Sequence, residues 1–296
     1  MNQGIPFRVG IITDEVSQSL ASAIEFCKEF GLSALELRSV DGVSPFDWSE
    51  EQVRGMKRLC DENGMQVVAI SAPLFKCEIG DREAVISHVA SFERLCAYAK
   101  ILGARLIRGF DFWECGAGLE ERAKEYAPII ELCEKYDVIC ALEYDPKVHS
   151  SDPVKLARMV ETIGHERIGA LYDPGNGLFS DQSIIPYPQG YEALASRVCH
   201  IHVKDAVFSD GAMGAESVKV GEGLVDWHGL FQRLCKEGYT GSVMLETHYR
   251  KNAELTEEQL QRPGGYGFSE GAYDASAESM ESLLSIIEQV RKEMNL

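Results

Sequence analysis

The nine cysteines of this sequence include no CxxC pair, and their odd number, scattered through helix-like and strand-like segments, supports neither a disulfide framework nor a thiolate zinc site. They are expected to be reduced core residues of a cytoplasmic protein. There is no stretch of 18 apolar residues, and Met1 to Arg8 holds no cationic segment followed by an apolar run. A soluble chain without an export signal is the expectation. Basic charge is scarce: 29 Lys and Arg stand against 47 Asp and Glu, a formal charge of −18 that repels phosphate backbones and anionic lipid surfaces. Nucleic acid and membrane are therefore not expected as partners. No GxGxxG follows the first strand-like segment, where a doubly wound sheet would need it to bind a dinucleotide.

What is present is an ordinary globular mixture: 296 residues, 45% hydrophobic and 26% charged, enough to bury a large core. A repeat runs through it. Five amphipathic stretches end near a glycine (Gly31, Gly64, Gly103, Gly164, Gly238), and a β-rich apolar run follows almost at once. Glycine takes the left-handed cap conformation without a Cβ penalty, so the chain can turn directly from helix into strand. The spacings are 33, 39, 61 and 74 residues, the last two being double intervals whose middle junctions near Asp137 and Arg197 lack the glycine. Strands are expected at residues 7 to 12, 34 to 38, 66 to 71, 105 to 109, 138 to 143, 168 to 173, 198 to 204 and 242 to 247. Eight strands alternating with about eight helices predict a (β/α)8 TIM barrel, residues 1 to 296 forming one domain. An open doubly wound sheet is the alternative. Three connections that follow strands are long, roughly 174 to 190, 205 to 226 and 248 to 272, which in a barrel places them at the carboxyl face where substrate is handled. The last, rich in glycine and aromatics, reads as a lid, an oligomer contact or a surface loop.

Polar residues at strand ends are either buried at a cost or used. Strand five (VICALEYDP) ends at Glu143, strand six (IGALYDPGN) at Asp173 and strand eight (SVMLETH) at Glu246. In strand seven (VCHIHVKD), period-two alternation sends His200, His202 and Lys204 to one face. Four consecutive strands thus converge three carboxylates and at least one imidazole on one rim. Such carboxylates repel one another unless a cation compensates them, and a divalent metal does so economically. Oxygen-rich ligation with a single imidazole suits Mn²⁺, Mg²⁺ or Co²⁺. The plainer alternative is that each acid pairs with a local base such as Lys204, Arg108 or Arg250.

These residues resemble the xylose isomerase-like TIM barrels, the sugar phosphate isomerase/epimerase superfamily. The marks are ALE at 141 to 143, YDPGN at 172 to 176, HIHVKD at 200 to 205, GEGLVDW at 221 to 227 and GYTGSVMLE at 238 to 246. The resemblance implies that Glu143, Asp173, His202 and Glu246 hold one divalent ion (Mn²⁺, Mg²⁺, Co²⁺ or Zn²⁺). It also implies that Glu143 and Glu246 are catalytic, moving protons to and from the two faces of the substrate. Two departures matter. Asn176 stands three residues after the aspartate where many ketose epimerases carry a histidine, and SAPLFK, with Ser71 and Pro73, brings no histidine to the end of strand three. The second departure argues against the endonuclease IV branch.

The expected function is a metal-dependent isomerase or epimerase of a small sugar, polyol or keto-acid derivative, working by proton transfer through a metal-bound enediolate. A dehydratase of a keto-polyol on the same metal site, and a non-catalytic carbohydrate-sensing barrel, are the alternatives. Asn176, His200, Lys204, Glu36 and Arg108 are the candidate substrate-binding residues, with Arg38 at the same level. The competing readings are an interior histidine for His200, a pair with Asp205 for Lys204, and a barrel-core salt bridge for Glu36, Arg38 and Arg108. Asp226 is read as a helix N-cap before Trp227 and His228, and His149 and His248 as rim residues without an assigned role. The lack of a clear Lys/Arg cluster favours an unphosphorylated sugar, and homo-oligomerisation is left open.

Overall fold

Short, mostly aliphatic runs, most of them ending at or just before a polar residue, form the strands of the computed structural model, which describes residues 4–180, 184–209 and 214–296. They are β1 (Arg8–Ile12), β2 (Ala34–Leu37), β3 (Gln66–Leu74), β4 (Leu106–Gly109), β5 (Ile139–Glu143), β6 (Ile168–Tyr172), β7 (Val198–Val203) and β10 (Ser242–Leu245), with a hairpin of β8 (Asp205–Phe208) and β9 (Ala215–Val218). The eight parallel strands close in the order β1-β10-β7-β6-β5-β4-β3-β2, a TIM barrel of one domain. The open-sheet alternative is excluded by the β1 to β10 pairing.

The glycine junctions are where the sequence places them, all with positive φ: +65° at Gly31 and Gly164, +69° at Gly64, +80° at Gly103 and +67° at Gly238. At the junction lacking glycine near 137, Asp137 itself takes the left-handed cap, with φ 56°. Near 197 the chain instead leaves a 3-10 turn, Ala195–Arg197, in extended conformation. The apolar stripe of residues 123 to 133 is split between two helices, Leu119–Lys124 and Ala127–Tyr136, because Pro128 has no N–H to continue the first.

Alternation along the strands builds two layers inside the barrel. Ile12, Ala34, Val68, Ala69 and Met244, with Leu106 against them, form a small apolar plug separate from the main core of strand and helix side chains. Two residues further along the same strands stand Glu36, Arg108 and Glu246, so the layer above the plug is charged. The three long connections all lie at this end. The second carries the β8–β9 hairpin and the third the short helices Glu257–Gln261 and Tyr266–Ser269. Residues 181–183 and 210–213 of the first two connections lie outside the described residues. The third crosses the barrel mouth, held where Gln18 Nε2 donates to the Gly265 carbonyl at 3.0 Å and Lys76 Nζ to the Gln261 carbonyl at 2.8 Å.

Candidate active site

Ligand atoms of Glu143, Asp173, His202 and Glu246 all lie within 4.8 Å of one another, and all four residues are buried. Each position follows from its element. Glu143 ends β5 and Glu246 follows β10, while His202 points inward from β7. Asp173 caps the short helix Pro174–Leu178, one of its oxygens accepting from the Asn176 amide at 3.2 Å. His202 Nδ1 faces Glu246 at 3.2 Å and Glu143 at 3.4 Å, whereas its Nε2 lies 3.1 Å from Glu36. Glu36 thereby fixes which nitrogen is offered to the carboxylates. A set of three carboxylates and one imidazole, converged in a buried site with an outer carboxylate behind the imidazole, fits a divalent ion that prefers oxygen ligands.

The electrostatics of the cluster are strongly skewed. Burial would raise Glu143, but Arg108 outweighs it and holds the carboxyl below its usual range. Burial likewise opposes ionisation of Glu246, and Lys204, His202 and His248 drive it well below that range. Asp173 goes the other way: burial, with Glu246 and Glu143 adding to it, pushes it up to about 7 against the pull of Lys204. His202 is held well above the usual imidazole range because Glu36 and Glu246 outweigh its burial. His248 drops to about 4, through burial and the nearby Lys204 charge.

A cleft of about 490 Å³ opens over this cluster, and Glu143, Glu246, Asn176, Lys204 and Arg108 reach its wall. Lys204 Nζ donates to Asp173 at 2.8 Å and to Asn176 and Glu246 at 3.0 Å each. Asn176 Nδ2 donates to Glu143 at 3.2 Å and to the Tyr144 carbonyl at 3.0 Å. Arg108 lies 3.1 Å from Glu143 and 3.5 Å from Glu246. Glu36 and His200, expected at the substrate, do not reach the cleft wall. They lie in the layer beneath it, where His200 Nε2 pairs with Glu36 at 2.6 Å and the Ser71 hydroxyl donates to the same carboxylate. The inward phase that brings His202 to the cluster puts His200 two residues deeper, too far down the barrel for a ligand in the mouth.

Lys204 does not pair with Asp205 either. The Asp205 carboxylate instead accepts the backbone N–H groups of Ala206, Gly221, Gly223 and Val225 at 2.9 to 3.2 Å, so that GEGLVD wraps it. In YDPGN, Gly175 is required by packing: a β-carbon there would lie 2.5 Å from the Lys204 carbonyl oxygen and 2.7 Å from its Cγ. Asp226 caps its helix as expected, accepting from the Gly229 amide at 2.8 Å. His149 and His248 are buried rather than solvated. His248 Nε2 stands 3.3 Å from Glu15 and 3.5 Å from Glu246. Asp14 and Glu15, which the sequence reading passed over, are fully buried beside the donor set, and Arg38 bridges both of them to Glu246. The signal was available, since TDE directly follows β1 just as the other acids follow their strands.

A closed eight-stranded parallel barrel with a metal-compatible cluster at its carboxyl end is the architecture of a broad class of (β/α)8 proteins. The chain belongs to the xylose isomerase-like TIM barrel family, whose model matches residues 24–283. It is 22% identical over 145 residues to an uncharacterized protein of Methanocaldococcus jannaschii, a match spanning 48% of each chain, so about half the length of that relative. Among solved structures it is similar to a D-tagatose 3-epimerase-like protein (18% identity, 97% of this chain and 100% of that one, TM-score 0.72). It is also similar to the IolI protein with a binding zinc atom (18%, 96% and 99%, TM-score 0.71) and to the probable 3-DHS dehydratase AsbF of Bacillus anthracis (16%, 94% and 99%, TM-score 0.70). At these identities the likeness establishes the shared fold. No helix among the described residues is long and apolar enough to cross a membrane.

Proposed function

We propose that this chain is a divalent-metal-dependent isomerase or epimerase of a small sugar, polyol or keto-acid derivative. The observation carrying the reading is the convergence of Glu143, Asp173, His202 and Glu246 within 4.8 Å at the foot of an open cleft. Those four residues would hold the ion, which supplies Lewis-acid polarisation of a carbonyl and charge for the oxyanion that forms. Glu143 and Glu246 are the two carboxylates of the set that reach the cleft wall, so they remove and return the proton at the carbon next to the carbonyl. Their neighbours keep both ionised: Arg108 for Glu143, and Lys204 and His202 for Glu246. Asn176 orients Glu143 through its Nδ2 and Lys204 orients Glu246 through its Nζ. Neither Asn176 nor the largely neutral His248 carries charge to a substrate hydroxyl, which suits hydrogen bonding rather than proton transfer.

The test is exchange of a substrate C–H with solvent deuterium, followed by NMR over a panel of ketoses, keto-polyols and keto-acids with Mn²⁺, Mg²⁺, Co²⁺ or Zn²⁺ supplied. Metal-dependent exchange that Glu246→Gln abolishes is the expected result. Loss of water from the product would reassign the reaction to a dehydratase, which begins with the same proton removal. Failure to bind any of the four metals, or metal affinity and turnover both unaltered in Glu246→Gln, overturns the proposal in favour of a non-catalytic barrel.

A further inference from the structure

A second cleft, of about 460 Å³, opens beside the first, and Lys76, Arg108, Gln261 and Pro263 line both. Arg38, Lys76, Arg108 and Arg262 reach the wall of this second cleft, while no Asp or Glu among the described residues does. In a chain with a formal charge of −18 this is a local reversal of sign. We propose that the cleft receives an oxyanionic group, a carboxylate or a phosphate, carried by the substrate whose reacting carbon lies between Glu143 and Glu246. The inference rests on the function proposed above and names its substrate class: an acidic sugar derivative rather than a neutral ketose.

The four cations are not equivalent. Arg38 is fully engaged, its three nitrogens held by Asp14, Glu15 and Glu246. Arg108 gives Nη1 to Glu143 at 3.1 Å and Nε to the Ala72 carbonyl at 3.5 Å, leaving Nη2 for a ligand. Lys76 uses two of its three donors, on Asp145 and the Gln261 carbonyl, both at 2.8 Å. Arg262 pairs with no carboxylate among the described residues. It is placed by its backbone instead. On one side Lys76 binds the Gln261 carbonyl, and on the other the Gly265 amide donates to Ser39 Oγ at 2.9 Å. At Gly264 between them a β-carbon would come within 3.1 Å of that same oxygen. Both carboxylate partners of Arg108, Glu143 and Glu246, also belong to the donor set, so a cation held there competes with Arg108 for their charge. An anionic group against Arg108, Lys76 and Arg262 restores the balance.

Calorimetric titration of the Mg²⁺-loaded and the chelator-treated protein with glucitol, gluconate and glucitol 1-phosphate tests this, because the three probes differ only at C1 of a six-carbon chain. The expected result is that at least one anion binds about tenfold or more tightly than glucitol, and that Arg262→Gln reduces this ratio by about tenfold. Lys236→Gln removes an equal charge from an exposed site on the opposite face of the barrel and leaves the ratio within about twofold. The stronger of the two anions tells carboxylate from phosphate. A ratio near one for both anions, or one that Arg262→Gln leaves unchanged, overturns the inference. Mg²⁺ binding without anion preference sinks this inference alone, whereas anion preference without metal binding sinks the metal-dependent reading alone.

Discussion

Glu36→Gln alters one charge and one atom type at a point that is 0% exposed, directly behind the donor set. In the native barrel Glu36 accepts from His200 Nε2 at 2.6 Å, from His202 Nε2 at 3.1 and 3.2 Å, and from the Ser71 hydroxyl. An ionised carboxylate only accepts, so it keeps a His202 proton on Nε2, and Nδ1, which faces Glu143 and Glu246, is the nitrogen that would give up its proton to an ion. Glutamine can accept at one atom only. If its NH2 turns to His202, the proton must move to Nδ1 and the ligand atom is lost. If it turns to His200, that ring must carry its proton on Nδ1, which has no partner among the described residues. Outer carboxylates of this kind change metal affinity by about 10- to 100-fold, or about 1.4 to 2.7 kcal/mol. We expect Glu36→Gln to weaken Mn²⁺ or Zn²⁺ binding in that range, measured by competition with a fluorescent chelator. Binding within about threefold of the native protein, in a variant with an unchanged far-UV circular dichroism spectrum, would refute the reasoning.

Arg38→Met should cost about 3 to 5 kcal/mol in urea unfolding, because it strands the buried carboxylates of Asp14, Glu15 and Glu246, and Arg38→Lys should recover little since an ammonium cannot span all three. A loss under about 1 kcal/mol would contradict this. Asp205→Ala removes the acceptor for four backbone N–H groups and should cost about 2 to 3 kcal/mol, with new proteolytic cuts between residues 206 and 226; an uncut loop would count against that role for the carboxylate. His88 is lowered from 6.5 to about 4, by burial and then by Arg262, and its Nδ1 accepts from the Phe75 amide at 2.8 Å. The unfolded chain therefore binds a proton that the native protein does not, and stability present above pH 6.5 is lost as the pH falls toward 4. Discounted for partial exposure, the loss is about 2 kcal/mol, and Glu, Asp and other groups being unchanged, a melting-temperature series from pH 7 to 4 should be less steep in His88→Gln by up to one proton's worth.

Much of this fold is legible in the sequence because the signals are local. A left-handed residue at a helix end and an apolar run after it are properties of a few neighbours, so Gly31, Gly64, Gly103, Gly164 and Gly238 mark their junctions. The convergence of Glu143, Asp173, His202 and Glu246 is legible for a different reason, since closing a barrel forces all strand ends onto one rim. Depth along a strand is harder to read. Glu36 and His200 share the inward phase with His202, but whether a residue meets substrate or supports a neighbour depends on the stagger of strands, including the register shift between Leu35 and Glu36. The basic cleft is invisible for a third reason. Arg38, Lys76, Arg108 and Arg262 are spread across the chain, and only the third long connection, folded back over the mouth, makes them neighbours.

The charge pattern of the mouth ties these parts together. Asp14, Glu15, Glu36, Glu143, Asp173 and Glu246 form one buried ion-pair network with Arg38, Arg108, Lys204, Arg250 and three histidines. Six carboxylates against four permanent cations leave a deficit of two positive charges. That deficit falls on the two donors whose protonation is displaced toward the charged-acid or neutralised side, His202 held well above its usual range and Asp173 pushed up to about 7. Both belong to the set that could hold a divalent ion, whose charge equals the shortfall. Replacing the buried acids by apolar residues would be the cheaper way to stabilise a barrel. Their retention directly above an apolar plug, with a cleft alongside whose wall carries Arg38, Lys76, Arg108 and Arg262, is what a site needs if it is to hold a cation at one end of its substrate and an anion at the other.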